Sequence, residues 1–333
     1  MIQNPVSHNY KALVVHKNSN DVKINIEEKS TIELPKGDLL IKVKYSSLNY
    51  KDALSASGAR GITNKYPHTP GIDAAGIIEE SNNDQFPIGL PVIVTGFDLG
   101  MNTSGGFSEY IRVPSNWALK CPNGMTAKES MMIGTAGLTA GLCVNAIAET
   151  IKIKDSKIIV SGATGGVGCL SIKLLSHLGA KVTALTGKMN KKDFLYDLGA
   201  TKVIDRMEFV DSTRLPLNKK EYHGAVDVVG GKILSSIIAR LDYGGKVAVC
   251  GNVGGPEFNT TVFPFILRSN SLIGIDSAEC PVNKKKIIWG NFANKWRLNS
   301  LEKITKKVGL QDLIPEIQKI LLGKQAGRVL IKL

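Results

Sequence analysis

Cysteine is scarce in this chain: five residues in 333, the nearest two in sequence being Cys121 and Cys143, with no Cys-x-x-Cys pair. That spacing excludes a cysteine zinc knot and a disulfide framework, and it leads us to expect free thiols in a reducing cytoplasm. Histidine is equally sparse, five residues without an adjacent pair. We expect no uncharged apolar stretch of about twenty residues, so a membrane span is not expected. The start, Met1-Ile-Gln-Asn-Pro-Val-Ser-His8, has no basic segment followed by an apolar core and does not read as a secretion signal. Internal repeats and low-complexity segments are also missing. Acidic residues are outnumbered, 29 against 42 basic, for a net charge of +13. The densest basic clusters, Lys284-Lys285-Lys286 and Lys306-Lys307, lack interleaved arginines and aromatics, so nucleic acid is not the expected partner. A diffuse positive field suits anionic small molecules instead.

What is present is a glycine cluster, Ser161-Gly-Ala-Thr-Gly-Gly-Val-Gly168, placed after the apolar run Lys157-Ile-Ile-Val160. From Val167 the apolar positions continue at Leu170, Leu174, Leu175 and Leu178, the rhythm of a helix with one buried face. The glycines therefore open a helix, where unpaired N–H groups and the positive end of the dipole can seat a pyrophosphate. Thr164, Gly165, Gly166 and Val167 are the expected pyrophosphate contacts. The next short strand, Lys181-Val-Thr-Ala-Leu185, runs into Thr186, Gly187 and Lys188. An NAD-preferring chain places Asp or Glu there for the ribose hydroxyls, whereas a 2′-phosphate needs room and positive charge. A hydroxyl, a glycine and a lysine point to NADPH, the alternative being that Lys188 is one more solvated lysine.

Residues before about 128 read as short strands punctuated by Gly and Pro, among them Ala12–Val15, Leu39–Val43, Ala75–Ile78, Val92–Thr95 and Ser108–Val113. Beyond Ala127 the pattern becomes helix and strand in alternation, with strands expected at 157–161, 181–186, 202–204, 225–229, 246–250 and 271–275. Alternation of that kind predicts a parallel sheet wound on both faces. From about Lys284 helices return, and Arg328-Val-Leu-Ile-Lys-Leu333 reads as a strand that rejoins the first domain. The expected organisation is a discontinuous domain, 1–128 plus 284–333, enclosing a nucleotide domain, 129–283.

These features, together with Ser46-Ser-Leu-Asn-Tyr-Lys-Asp-Ala-Leu54, Pro70-Gly-Ile-Asp-Ala-Ala-Gly76, Ile133-Gly-Thr-Ala-Gly-Leu-Thr-Ala140, Asp242-Tyr-Gly-Gly245, Thr261-Val-Phe-Pro-Phe-Ile-Leu-Arg268, Gly274-Ile-Asp-Ser277 and Gly327-Arg328, resemble the medium-chain dehydrogenase/reductase superfamily. More narrowly they are similar to its zinc-free acryloyl-CoA reductase and quinone oxidoreductase branch, from about Tyr10 to the C-terminus. The resemblance implies an α/β fold: a Rossmann doubly wound domain inserted in a discontinuous, β-rich GroES-like catalytic domain. It also implies a homodimer, paired through edge strands near Ser271 to Ile275. Zinc-dependent relatives carry a cysteine near Asn49-Tyr50 and Gly-His-Glu where this chain has Pro70-Gly-Ile-Asp73, so hydride transfer is expected to proceed without zinc. His68, the one histidine nearby, is expected to be a loop or packed residue.

Without a metal to polarise a carbonyl, the acceptor should already be activated by conjugation, as in acryloyl-CoA or another short enoyl-CoA. Tyr50 is the first candidate for proton donor or enolate partner, because a phenol keeps its proton at neutral pH. Its alternative is an aromatic that shapes the site or touches the cofactor ribose. Asn49 could bond the same oxygen or hold the loop, and Asp73 is expected to brace that loop from outside the site. By analogy Arg206 is a second 2′-phosphate candidate, Asn252 belongs to the loop near the nicotinamide, and Arg328 reaches the pyrophosphate. Arg206 and Arg328 could equally be surface charges. Arg268 and Lys51 are candidate partners for coenzyme A phosphates. Two rival functions remain: an NADPH:quinone oxidoreductase, and a non-catalytic NADPH-binding protein.

Overall fold

The computed structural model describes residues 7–18 and 21–333. Most of the N-terminal stretch read for a secretion signal, residues 1–6, lies outside them. The chain divides into two units: Met1–Thr135, Ala278–Ala293 and Ser300–Leu333 form one, and Ala136–Ser277 with Asn294–Asn299 form the other.

In the first unit, strand β1 (Asn9–Lys17) pairs antiparallel with β2 (Val22–Ser30). Strand β3 (Leu39–Ser47) leads into the short helix α1 (Tyr50–Ala56), then β4 (Asp73–Ser81), β5 (Pro91–Thr95), β6 (Tyr110–Val113) and β7 (Ala118–Lys120). Helix α2 (Ala127–Ala148) then crosses from the first unit into the second.

The second unit alternates strand and helix: β8 (Lys157–Val160), α3 (Gly166–His177), β9 (Lys181–Thr186), α4 (Lys192–Asp197), β10 (Ala200–Asp205), α5 (Arg206–Asp211), β11 (Tyr222–Asp227), α6 (Gly231–Ala239), β12 (Leu241–Val249), α7 (Phe263–Arg268) and β13 (Ser271–Gly274). Its sheet is parallel in the order β10-β9-β8-β11-β12-β13. Two mononucleotide-binding halves wound outward from a central strand produce that order, so the doubly wound parallel sheet expected from the alternation is present. Helix α8 (Val282–Ala293), strand β14 (Thr305–Gly309), helix α9 (Leu313–Leu321) and strand β15 (Arg328–Lys332) return to the first unit. Its larger sheet runs β14-β15-β3-β4-β5-β7, with β6 also on β3. The C-terminal strand thus lies antiparallel to β3.

The unit boundary lies later than the expected 128/129, because α2 is broken at Gly134, whose φ is 55° and ψ −163°. Residues 129–135 and 278–283 stay with the first unit, and residues 294–299 return to the second. A further correction concerns apolar runs. Residues 130–148 carry no charge, so a long uncharged stretch does exist. Helix α2 is long and apolar enough to cross a membrane by composition, yet 72% of its most apolar window is buried inside the protein, as a core helix would be. Other differences are local. Short helices α5 and α7 and strands β2 and β14 were not expected, and β12 starts at Leu241 rather than 246. Six-residue helices and solvent-facing strands carry too little periodicity to be read.

Two cores fix the candidate site residues. Leu48, Ala53 and Ala56 of the α1 region pack with Leu313 and Ile317 of α9 and with Val329 and Ile331 of β15. In the second unit Ile159, Leu185, Ala225 and Val247 from neighbouring parallel strands pack with Ile233, Leu234 and Ile237 of α6. Burying an aliphatic side chain of this size contributes about 1.5–3 kcal/mol, so each strand end is held by its own interior.

Candidate functional site

Gly165 is the N-cap of α3, and Gly166, Val167 and Gly168 form its first turn, where backbone N–H groups have no intrahelical partner. A Cβ on Gly168 would lie 2.3 Å from the carbonyl oxygen of Gly162 and 2.9 Å from Cα of Ala163. Only glycine lets the helix start this close to the turn leaving β8. Thr164 is buried at 4% exposure.

At the end of β9, Thr186 is buried and its hydroxyl accepts the N–H of Lys188 at 3.0 Å, so its side chain shapes the turn. Gly187 lies directly under Arg206: a Cβ there would meet Nε at 2.6 Å and Cζ at 2.9 Å. Arg206 is the first residue of α5, whose cap, Asp205, accepts the N–H groups of Met207 and Glu208. Burial lowers the Lys188 ammonium pKa below its ordinary value, and the charges of Lys191 and Arg206 add to the effect. Thr186, Gly187, Lys188 and Arg206 therefore converge, and the cations there repel one another. Such a cluster is relieved by an anion.

Asn252 lies exposed in the loop after β12, and its carbonyl accepts the N–H of Gly255 at 2.9 Å. That loop is tied to the turn after β11 by Gly254 N–H donating to the carbonyl of Val229 at 2.7 Å. A residue absent from the sequence reading organises this end of the sheet. Asp227, fully buried, accepts the Ser161 hydroxyl at 2.6 Å and the Gly230 N–H at 2.8 Å. It joins the glycine turn after β8 to the turn after β11, and burial raises its pKa. An apolar run ending in Asp227-Val-Val-Gly-Gly231 was the available signal.

In the first unit, Tyr50 opens α1 and is 39% exposed. The N–H of Asn49, its cap residue, donates to Asp52 Oδ2 at 2.8 Å, and Asp52 Oδ1 accepts the N–H of Ile72 at 2.7 Å. The Asn49 amide donates to Asp73 Oδ2 at 2.8 Å. Asp73 also accepts the Ser47 hydroxyl at 2.5 Å, the Thr135 N–H at 2.9 Å and the Thr135 hydroxyl at 2.5 Å. Asn49 and Asp73 thus hold the loop that presents Tyr50.

Arg328 requires a correction. Instead of a pyrophosphate ligand or a surface charge, it is a brace at 2% exposure. Its guanidinium donates to Ser47 Oγ at 2.7 Å, to the Leu48 carbonyl and Asn49 Oδ1 at 3.2 Å each, and to the Met132 carbonyl at 3.3 Å. Through Ser47, whose hydroxyl accepts from Arg328 and donates to Asp73, the last strand ties the Asn49 loop to β4. Arg268 is corrected for a similar reason: it is 8% exposed and donates to the carbonyls of Ala239, Leu241 and Asn218, anchoring α7 rather than facing a phosphate. Lys51 is half-buried beside Tyr50 on α1. His68 is packed, with its pKa lowered by burial.

Residues 35–123 match the alcohol dehydrogenase GroES-like domain, and residues 166–287 match the zinc-binding dehydrogenase family. The acrylyl-CoA reductase AcuI of Ruegeria pomeroyi is 36% identical over 325 residues, spanning 97% of this chain and 98% of its own. The chain belongs to the medium-chain dehydrogenase/reductase superfamily. Its place there is the branch of acrylyl-CoA reductases and quinone oxidoreductases. Among solved structures, the yhdH oxidoreductase of Salmonella enterica in complex with NADP is similar at TM-score 0.94 and 36% identity, covering 97% of this chain and 99% of that one. Bacillus subtilis yhfP with NAD bound is similar at TM-score 0.95 and 41% identity, covering 98% and 100%. These relatives agree with the Rossmann and GroES-like architecture expected from the resemblance.

A zinc ion, implied by the name of the matching family, does not fit the residues at the corresponding positions. The Asp73 oxygens are already saturated by donors from Ser47, Asn49 and Thr135, and the Arg328 cation stands at the same place. Among the described residues no group of His, Cys, Asp and Glu clusters as metal ligands. An NADP-type cofactor does fit: the glycine turn would take the pyrophosphate, and the cations around Gly187 would take the 2′-phosphate.

Proposed function

We propose that this protein is an NADPH-dependent reductase of activated carbon–carbon double bonds, acting without zinc on acryloyl-CoA or a related short α,β-unsaturated acyl-CoA. The observation that carries the reading is the cation cluster over Gly187, a seat for one more phosphate than NADH has. Full-length similarity to an acrylyl-CoA reductase supports the substrate class.

When bound, NADPH supplies the hydride, which is added to the β-carbon of the substrate. Negative charge then develops on the thioester oxygen as an enolate, and a proton reaches the α-carbon. Tyr50 O–H donates a hydrogen bond to that oxygen and is the first candidate to pass on the proton. Asn49, Asp52 and Asp73 set the angle at which α1 presents Tyr50, while Arg328 holds Ser47 and Asn49 in place. On the cofactor side, Thr164 to Val167 hold the pyrophosphate, and Thr186, Gly187, Lys188 and Arg206 hold the 2′-phosphate. The loop at Asn252 lies at the nicotinamide end.

The test is anaerobic NADPH oxidation with acryloyl-CoA against benzoquinone. Faster oxidation by the quinone would replace this reading with a quinone oxidoreductase, and turnover of neither would favour a non-catalytic NADPH-binding protein. Tyr50→Phe is expected to lower kcat by about a hundredfold with little change in NADPH affinity. An unchanged kcat removes Tyr50 from the chemistry.

The protein is a homodimer in this reading, joined through β13, the open edge of the parallel sheet. Support comes from the apolar residues exposed beside that edge: Val262, Phe263, Ile266 and Leu267 around α7, and Leu272 on β13. Light scattering after gel filtration should report about twice the chain mass of 35.8 kDa. The Ile266→Lys, Leu272→Lys double variant should report the single-chain mass. A wild-type monomer would refute the pairing. The free cysteines fit a reducing compartment such as the cytoplasm.

A further inference from the structure

Turns leave the carboxyl ends of β8, β11 and β12, and one buried residue bonds to all of them. Asp227 Oδ1 accepts the Ser161 hydroxyl at 2.6 Å, and Oδ2 accepts the Gly230 N–H at 2.8 Å. The Ser161 oxygen in turn accepts the N–H of Val228 at 3.0 Å, so this hydroxyl is used in both directions. The backbone carbonyl of Asp227 accepts the N–H of Cys250, just past the end of β12, at 2.9 Å. Ser161 and Asp227 are both fully buried, so water does not replace either partner.

The turns are also in close contact. A Cβ on Gly251 would lie 2.3 Å from the carbonyl oxygen of Val228, and one on Gly230, whose φ is 72°, would lie 2.7 Å from the carbonyl oxygen of Gly255. On the other side, a Cβ on Gly162 would meet the side chains of Val228 and Val229 at 3.2 Å. The turn after β11 is therefore wedged between the glycine turn after β8 and the loop at Asn252. It has no room to shift without moving both.

We infer that Ser161 and Asp227 are positioning residues for the coenzyme: their buried bond fixes the glycine turn against the turn after β11 and so sets how tightly the pyrophosphate and nicotinamide parts are held. The inference rests on the cofactor reading proposed above. Neither side chain faces the ligand. They act through the backbone they hold, because a seat made of N–H groups at a helix start binds an anion only while those groups point at one place. A carboxylate suits the position because it offers an acceptor on each oxygen, one for a hydroxyl and one for an N–H. The amide of an asparagine has a single acceptor oxygen, so Asp227→Asn leaves either the Ser161 O–H or the Gly230 N–H without one in the interior.

The experiment compares the full-length wild type with Asp227→Asn, Ser161→Ala and the double variant. Isothermal titration is run with NADPH and with adenosine 2′-monophosphate, which carries the 2′-phosphate but no pyrophosphate or nicotinamide. Asp227→Asn should weaken NADPH about tenfold and leave adenosine 2′-monophosphate within about twofold. Ser161→Ala should show the same pattern, and the double variant should lose little more than either single one, because one bond can be lost only once. Amide hydrogen exchange of the coenzyme-free protein should quicken about tenfold in both turns, 162–166 and 228–231, in either single variant. An equal loss for the two ligands, which a merely structural role would give, overturns the inference. Additive losses in the double variant, or exchange that quickens in one turn alone, also overturn it. If Asp227→Asn does not fold, Ser161→Ala carries the same ligand and exchange comparisons. Failure of the wild type to bind either ligand would instead strike the cofactor reading, and hydrogen exchange would still judge the link between the turns.

Discussion

Lys188→Asp is expected to weaken NADPH binding by about a hundredfold, roughly 3 kcal/mol, while NADH changes by no more than about threefold. The asymmetry arises because Lys188 is one of several cations held close together at the end of β9. Burial lowers the ammonium pKa, and Lys191 and Arg206 lower it further. A dianionic 2′-phosphate relieves that repulsion, whereas a ribose hydroxyl does not. A carboxylate at position 188 does more than remove one attraction. It pairs with Arg206 and Lys191 internally, so the remaining cations are no longer available to the phosphate. It also resembles the acidic residue with which NAD-preferring folds bind the ribose hydroxyls. Isothermal titration with both cofactors decides the matter. An equal loss for NADPH and NADH would refute the assignment.

The second large effect concerns Asp52 and pH. Its carboxyl is pushed up to about 7, first by burial and then by the charge of Asp73. Hydrogen bonds from the N–H groups of Asn49 and Ile72 and from the Asn49 amide pull the other way and lose. In the unfolded chain an aspartate releases its proton near pH 4. Between pH 4 and 7 the native state therefore binds more protons than the unfolded state, and stability falls as pH rises through that window. Three pH units correspond to a contribution of the order of 4 kcal/mol, lost by pH 7. Asp52→Asn removes the proton and with it the slope. The variant also loses an acceptor for one backbone N–H, an offset that does not depend on pH. Urea unfolding at pH 5 and pH 8 should show the variant gaining on the wild type by a few kcal/mol across the interval. Parallel stability curves for the two proteins would show that Asp52 is ionised throughout.

Asp52 also illustrates what can be read from a chain and what cannot. Asn49-Tyr50-Lys51-Asp52 is visible as a motif, and the cap role of Asn49 follows from residue type alone. That Asp52 and Asp73 are both buried, with Arg328 between Ser47 and the Met132 carbonyl, is invisible until β15 is laid against β3. The chain distance between those partners hides the contact, and a lone arginine near the terminus looks the same whether it faces phosphate or core. The same holds for Arg268, whose carbonyl partners Asn218, Ala239 and Leu241 are distant in sequence.

The nucleotide domain was the legible part. Its parallel strands are buried on both faces, so each appears as an apolar run, and each crossover helix carries its own period. Gly168 and the Thr186-Gly187-Lys188 segment could be named from their places at strand ends. Local sequence determined those features because a strand–turn–helix unit builds its anion seat from neighbours in the chain. Tertiary structure alone decided the rest. Arg206 was placed over Gly187, the Asp227 bridge was closed across two turns, and Arg328 was turned inward. Each of these joins residues far apart in sequence, and only the packing of complete strands and helices determines which of them meet.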